Sequence, residues 1–218
     1  MVGSVKKITT KICGIKTPEA LKSAVHDGAR FVGFVFFPPS PRHVAIDTAK
    51  ELALMLPTGV RSVGLFVDPT DEQLDAVTGH VQLDMIQLHG NEIPDRVLEI
   101  KEKYALPIIK AFPVSDVSDL DVVSDYEGLV DWLLFDAKPP KNSDVPGGTG
   151  HSFDWNILKD RSFSKPWMLS GGLHTDNVGD ALMILAPNAV DVSSGVEAVR
   201  GEKDLGKISS FLAAVKAL

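Results

Sequence analysis

The sequence predicts a single α/β domain over residues 1–218, folded as a (β/α)8 barrel. Short β-branched or aromatic runs recur about every 25 residues, with helical spacing of apolar residues between them. Runs such as FVGFVF and WLLF are continuously apolar, as expected of parallel strands covered on both faces. An open doubly wound sheet is the alternative. The first turn, CGIK, lacks the glycine-rich dinucleotide loop of such sheets, and eight regular units favour closure.

The predicted strands are short and start at regular intervals. They begin at Ile8, Phe31, Val60, Asp84, Leu106, Asp131, Pro166 and Ala189. Only the gap after the sixth strand is clearly longer. Because there is no linker, low-complexity tract or change of composition, we expect one domain.

Helices are predicted between the strands from apolar spacing and start signals. In residues 18–27, the apolar side chains of Ala20, Leu21, Ala24 and Val25 fall on one face of a helix. Segment 115–124 is less regular, because its Val-Ser-Asp repeats fit a turn as well as a helix. Polar caps and a first-turn proline predict where the other helices start. The expected start residues are Asp47, Asp71, Pro94, either Thr175 or Asp176, and Asp204.

Composition and charge exclude several classes of function. With 44% hydrophobic and 23% charged residues, the chain has material for a large core. A net charge of −7 argues against nucleic-acid binding but allows a small anionic substrate at a locally positive mouth. The single cysteine allows no internal disulfide, and there is neither a signal-peptide pattern nor an apolar stretch of membrane-spanning length. We expect a cytoplasmic monomer or homodimer without a membrane partner.

Chemically capable residues occupy the carboxyl ends of the predicted strands, where a barrel enzyme has its active site. Cys13 ends the first strand and Asp136 the sixth, which makes them candidates for opposite proton transfers. Asp191 ends the eighth strand. Asp68, in Val-Asp-Pro, is better suited to opening a turn. We interpret His89, at the fourth strand, as a structural hydrogen-bonding residue.

Two glycine-rich turns predict a phosphate site. Gly171 and Gly172 follow strand seven, and Ser193, Ser194 and Gly195 follow strand eight. Small residues let backbone N–H groups approach an anion, and barrels frequently build phosphate sites from these two loops. A plain tight turn explains either segment alone, but their joint placement favours phosphate.

Two further loops are candidates for substrate contact. Arg42 follows Pro39-Ser40-Pro41, whose prolines stiffen the loop that presents a guanidinium suited to a carboxylate. A solvated surface arginine is equally compatible with this sequence. Residues 137–150 hold three prolines and three glycines, and segment 138–150 is predicted to be a lid.

Taken together, these segments resemble the phosphoribosylanthranilate isomerases of tryptophan biosynthesis. The matching stretches run in order from about residue 8 to the end of the chain. They are KICGIKTPEA, GFVFFPPSPRHV, VGLFVD, IQLHGNE, LLFDAK, GGTGHSFDW, LSGGL, DVSSGVE and GEKD. An ordered set of this kind is far more specific than any single motif. It implies a (β/α)8 barrel that works without metal or cofactor.

The resemblance implies an Amadori rearrangement of N-(5-phosphoribosyl)anthranilate to 1-(2-carboxyphenylamino)-1-deoxyribulose 5-phosphate. Asp136 matches the family's general acid, which protonates the ring oxygen, and Cys13 matches the base that removes the C2′ proton. Arg42 matches the residue facing the anthranilate carboxylate, and Asp191 a carboxylate that contacts substrate. The matching phosphate site contains Gly171, Gly172, Ser193, Ser194 and Gly195.

This acid–base pair requires shifted pKa values. At pH 7 an ordinary Asp, of pKa about 3.9, is about 0.1% protonated, and an ordinary Cys, of pKa about 8.5, is about 3% thiolate. We therefore expect the pKa of Asp136 to be raised by its low-dielectric surroundings. We expect the pKa of Cys13 to be lowered by a cation such as Lys11, if that side chain points into the barrel.

Three alternatives stay open on the sequence. The first is the related aminoimidazole ribotide isomerases of histidine biosynthesis, or their bifunctional relatives. Those barrels have an aspartate at the end of strand one and a two-fold repeat between their halves. Cys13 argues against them, and no such repeat is visible in this sequence. A flavin-binding barrel would use the same phosphate turns and would be yellow when purified. A metabolite-binding barrel without activity would have no use for both Cys13 and Asp136.

Overall fold

The computed structural model describes residues 8–139, 147–148 and 150–218. Within these ranges eight parallel strands follow one another around a closed barrel, and the last pairs with the first. The ring confirms the predicted barrel and excludes the open sheet. The strands are β1 Thr9–Cys13, β2 Phe31–Val35, β3 Arg61–Phe66, β4 Met85–Leu88, β5 Ile108–Val114, β6 Trp132–Ala137, β7 Trp167–Leu169 and β8 Ala189–Val192.

Helices cover the outside of the barrel. The α-helices are α1 Pro18–His26, α2 Ile46–Leu54, α3 Asp71–Thr78, α4 Pro94–Tyr104, α5 Ser124–Glu127, α6 Val178–Ile184 and α7 Leu205–Lys216. Short 3-10 helices occupy Val117–Val123, Trp155–Ile157 and Ser194–Val196. A small antiparallel hairpin that the sequence analysis did not predict, β9 Glu197–Val199 with β10 Glu202–Lys203, follows β8. None of the described helices is long and apolar enough to cross a membrane.

Two of the predicted helix starts are confirmed. Pro94 is the first residue of α4, where its missing N–H is not needed. Asp204 caps α7 by accepting a hydrogen bond from the backbone N–H of Lys207 at 2.9 Å.

Three predicted caps are wrong by one or two residues. α2 starts after Ala45, so Asp47 lies inside its first turn. α3 is capped by Thr70, which forms a reciprocal capping box with Gln73, so Asp71 is the first helical residue. The cap position of α6 is Asn177, because the preceding residues 174–177 form a turn before the helix begins.

The connections on either side of β6 depart from a regular βα unit. After β5, a 3-10 helix with its own capping box between Asp116 and Asp119 leads into the four-residue α5. Short polar side chains that bond their own backbone favour this tight turn over a long α-helix. Between β6 and β7, the only helix or strand among the described residues is the 3-10 helix Trp155–Ile157. The predicted lid lies mostly outside the described residues, which omit 140–146 and 149.

Side chains of the barrel interior form an apolar floor below a polar mouth. The floor consists of Phe31, Val63, Met85, Ile109, Ala111, Leu134, Met168 and Ala189. Above it, the interior positions nearer the carboxyl ends of the strands carry Lys11, Cys13, Gln87, Asp136, Ser170 and Asp191, all buried. The floor closes the barrel, and the chemically capable groups are held at one end.

Candidate active site

One pocket opens at the carboxyl ends of the strands and brings together nearly all the predicted site residues. It is lined by Cys13, Arg42, Asp136, Gly171, Gly172, Asp191, Ser193 and Ser194. Gly195 does not line it. A Cβ at Gly195 would lie 1.9 Å from the carbonyl oxygen of Leu173, so this glycine lets the loops after β7 and β8 pack together.

Cys13 ends β1 among apolar neighbours. Its side chain packs with Val35 and Leu65, and Gly33 on β2 provides room for its sulfur, since a Cβ at Gly33 would lie 2.8 Å from Sγ. Burial raises the pKa of the thiol, and the attraction of Lys11 only partly offsets it. The expected lowering of this pKa is therefore wrong, because desolvation outweighs the nearby charge.

Asp136 is the penultimate residue of β6 and is held from two sides. Its Oδ1 accepts the N–H of Ala137 at 2.9 Å, and its Oδ2 lies 3.2 Å from Nε2 of His89. Nδ1 of His89 is 2.8 Å from the amide nitrogen of Gln87. When that amide donates to Nδ1, the ring proton is on Nε2 and donates to Asp136.

The interpretation of His89 as a hydrogen-bonding residue is consistent with these contacts, and His89 also lines the pocket beside the candidate acid. Alternate residues of a strand share a face, so Gln87 and His89 both project into the barrel.

Arg42 is buried in a network of charges rather than solvated. Its Nε and Nη2 donate to the two oxygens of Glu197 at 2.7 and 2.9 Å, and Nη2 also donates to the carbonyl of Gly148 at 3.1 Å. Nζ of Lys203 donates to the same Glu197 carboxylate at 2.9 Å. The surface interpretation of Arg42 is excluded, since the residue is 4% exposed.

Glu197 was not recognised as part of the site from the sequence, although it falls in the DVSSGVE stretch. It begins β9, and the N–H of Gly201 in the β9–β10 turn also donates to its carboxylate at 3.0 Å. Burial raises the pKa of Glu197, but the Arg42, Lys203 and Gly201 donors outweigh burial and lower the pKa to about 2.

Asp191 on β8 is paired inside the barrel. Its Oδ1 lies 3.0 Å from Nζ of Lys11, and its Oδ2 lies 3.5 Å from the hydroxyl of Ser170. Lys11 does point into the barrel, as expected, and is fully buried. Burial lowers the pKa of Lys11, but Asp191 and Cys13 outweigh burial, and the net direction is upward.

The turn after β7 needs glycine for backbone reasons. Gly171 and Gly172 have φ values of 90° and 61°, in the left-handed region. A Cβ at either would also lie within 2.6 Å of backbone atoms, of Ala137 and of His151. A tight turn explains these features as well as an anion cradle does. What favours the cradle is that this turn and Ser193-Ser194 face the same pocket.

Within the part of the chain that the structure describes, no group of three or more His, Cys, Asp or Glu side chains could hold a metal ion.

Comparisons with known proteins match this chain over almost its whole length. A family model described as N-(5'phosphoribosyl)anthranilate (PRA) isomerase matches residues 10–214. The N-(5'-phosphoribosyl)anthranilate isomerase of Paracoccus denitrificans is 53% identical over 206 residues, covering 94% of this chain and 96% of the relative. That of Paramagnetospirillum magneticum is 51% identical over 209 residues, covering 96% and 97%.

Solved structures with this fold agree. The isomerase from Thermotoga maritima superposes with a TM-score of 0.84 at 38% identity, covering 97% of this chain and 100% of that one. An isomerase in complex with reduced 1-(o-carboxyphenylamino)-1-deoxyribulose 5-phosphate superposes with a TM-score of 0.83 at 36% identity and the same coverage. The family match includes the strand ends that carry Cys13 and Asp136. This chain therefore belongs to the phosphoribosylanthranilate isomerase family.

Proposed function

We propose that Cys13 is the general base and Asp136 the general acid of the isomerisation that this chain catalyses in tryptophan biosynthesis. The observation that carries the proposal is their placement. They lie at the carboxyl ends of β1 and β6, Cys13 as the last residue of its strand and Asp136 as the last but one, and line the same pocket, one with a thiol and one with a carboxyl group. An aldose–ketose rearrangement needs one proton delivered to the ring oxygen and one removed from C2′, and this pair supplies both transfers.

The electron flow follows from these roles. Asp136 gives its proton to the furanose ring oxygen as the C1′–O bond breaks, and the nitrogen lone pair forms the C1′=N bond of an iminium. The Cys13 thiolate then takes the C2′ proton. The electrons of that C–H bond form C1′=C2′, and the C=N electrons return to nitrogen. The enolamine tautomerises to the ketone product.

The substrate's two anionic ends are assigned to different groups of the pocket. We assign Arg42 to the anthranilate carboxylate, because Glu197 occupies only its Nε and Nη2 and leaves Nη1 outside that pair. We assign the phosphate to the turns at Gly171-Gly172 and 193–195. Asp191 lines the same pocket and is assigned to a substrate hydroxyl. The ligand in the similar solved complex also carries a carboxyphenyl group and a 5-phosphate.

Two variants test the roles of the acid and the base. Loss of phosphoribosylanthranilate fluorescence is followed with purified protein and no added metal or cofactor. Cys13→Ala and Asp136→Asn should each lower turnover by about 10²–10⁴-fold, the usual contribution of one positioned proton-transfer group. Both should remain folded, by circular dichroism, and still bind product. Near-wild-type turnover of Cys13→Ala would show that another group is the base, and Asp191 would be examined next.

We also propose that the protein is a cytoplasmic monomer or homodimer. A single cysteine fits a reducing compartment. A similar structure, from Thermotoga maritima and 36% identical, is of monomers generated from a dimeric isomerase, so this barrel supports either state in a relative. Light scattering of the purified protein distinguishes the two, and a mass above that of a dimer would contradict both.

A further inference from the structure

The barrel interior contains a fully buried ammonium group one layer below the pocket. Lys11 has no exposed surface, and its Nζ lies 3.0 Å from Oδ1 of Asp191. Beneath it the barrel is filled by apolar side chains such as Phe31 and Met85. A buried ion pair stabilises a fold no better than a well-packed apolar pair does, because both charges must be stripped of water. Packing alone therefore does not explain a lysine here.

The backbone directs Lys11 towards the candidate base. Lys11 and Cys13 are two residues apart on β1, so their side chains project from the same face of the strand into the barrel. Lys11 pairs in register with Asp191 on β8, and its ammonium is bonded to that carboxylate. Its positive charge lowers the pKa of the thiol, against the raising effect of burial.

Other charged groups also face Cys13. Asp191 on β8 disfavours the thiolate, and Lys203 on β10 favours it. Across the pocket, the remaining titratable or charged groups among the described lining residues are Arg42, His89 and Asp136. Lys203 is already engaged with Glu197 and with the carbonyl of Ser193, at 2.9 and 2.8 Å. Of the two cations, Lys11 lowers the pKa of the thiol more than Lys203 does.

We propose that Lys11 is a positioning residue of this active site: its buried ammonium, held in place by Asp191, stabilises the Cys13 thiolate and sets the pH at which that thiolate forms. This inference rests on the proposed role of Cys13 as the base. Lys11 itself takes no proton from substrate. The pKa of Lys11 is raised despite its burial, so at neutral pH it remains an ammonium and acts as a fixed charge.

Alkylation by iodoacetamide provides a direct test, because Cys13 is the only cysteine in the chain and every modified thiol is this one. The rate is measured against pH in the free enzyme. An opposite charge within about 4–6 Å typically shifts a pKa by about 1–3 units. Lys11→Met should therefore raise the pH midpoint of alkylation by about 1–3 units, and the rising limb of kcat/KM against pH should move with it. Lys11→Arg, which keeps the charge, should restore the midpoint.

The chain offers a matched control. Lys110 is also a buried lysine in an ion pair, 2.9 Å from Glu92, but it lies on β5 outside the barrel interior. Lys110→Met should lose stability while leaving the alkylation midpoint unchanged. The proposal would be overturned if the alkylation midpoint of Lys11→Met lay within about 0.3 pH units of the wild-type midpoint. That difference is about a tenth of the largest shift expected.

A second comparison removes the unpaired carboxylate that Lys11→Met leaves behind. Lys11→Met/Asp191→Asn is compared with Asp191→Asn alone, and its midpoint should be higher; equal midpoints would count against Lys11. This pair also serves if the single lysine variant does not fold. Alkylation does not depend on turnover, so it reports on Lys11 separately from the test of Cys13 as the base.

Discussion

Glu197 makes a prediction about acid stability that can be worked from the structure. Its carboxylate accepts hydrogen bonds from Arg42, Lys203 and Gly201, which lower its pKa from an ordinary 4.5 to about 2. A shift of about 2.5 units corresponds to about 3.4 kcal/mol at 1.36 kcal/mol per unit. Because its partner Arg42 lines the pocket, solvent there screens the pair, and we expect about half of this contribution.

The direction follows from the lowered pKa. A carboxylate with a depressed folded pKa contributes its stability fully above the unfolded pKa, near 4.5, and loses it as pH falls through the folded pKa, near 2. The wild-type protein should therefore lose about 1.5–2 kcal/mol between pH 5 and pH 2 through this group alone. Glu197→Gln keeps the side-chain shape but removes the titration, so its free energy of unfolding should fall less steeply over that range.

Urea unfolding at a series of pH values measures the effect. Other carboxylates titrate in the same window, so the informative quantity is the difference in slope between wild type and Glu197→Gln. Glu202→Gln, which changes an exposed carboxylate on the same hairpin, is the control and should stay within about 0.5 kcal/mol of wild type. If Glu197→Gln and wild type lose stability in parallel from pH 5 to pH 2, the Arg42–Glu197–Lys203 network does not carry the assigned energy.

Two further substitutions probe the pocket by steady-state kinetics. Arg42→Ala should mainly raise KM, by about 10- to 150-fold, because a charged hydrogen-bonding pair with the anthranilate carboxylate is worth about 1.5–3 kcal/mol; an unchanged KM would remove Arg42 from the binding site. His89→Ala should lower kcat by about 10-fold with little change in KM, because Asp136 would lose one hydrogen bond but keep that from Ala137; a loss as large as that of Asp136→Asn would mean that His89 itself transfers a proton.

The barrel and the two proton-transfer candidates could be predicted from the sequence because both depend on strand ends. Parallel strands buried on both faces leave continuous apolar runs, which are easy to recognise. Once a barrel is inferred, the residues that end those runs converge at one mouth, so Cys13 and Asp136 could be brought together without knowing a single distance. Two strands start one residue later than predicted, β3 at Arg61 and β4 at Met85, and this difference does not affect the inference.

The charge network at the mouth could not be predicted in the same way. Glu197 and Lys203 lie on strands of three and two residues, too short to show a period of two. Their pairing with Arg42 joins positions 155 residues apart, and no local pattern encodes such a contact. The cap of α3 is a different case. Thr-Asp-Glu-Gln at residues 70–73 contains the capping-box pair Thr70 and Gln73 and also a second acceptable cap residue, Asp71, and the structure uses the capping box.

The same network limits the negative charge around the site of a chain whose net charge is −7, although the substrate carries a carboxylate and a phosphate. At and just below the mouth, Lys11, Arg42 and Lys203 supply three positive charges and Asp191 and Glu197 two negative ones; Cys13 and Asp136 with one proton between them add a third negative charge, so the total is zero (3 − 3). One proton is shared between those two residues in the proposed cycle. Placing it on sulfur or on the carboxyl group gives the same total charge, so the charge that the substrate meets does not depend on which residue holds it. Which of the two residues holds the proton is decided by the groups around each of them. Burial and Lys11 act on the sulfur, and the N–H of Ala137 and His89 act on the carboxyl group, so each residue can be tuned without changing the field that the incoming anion meets.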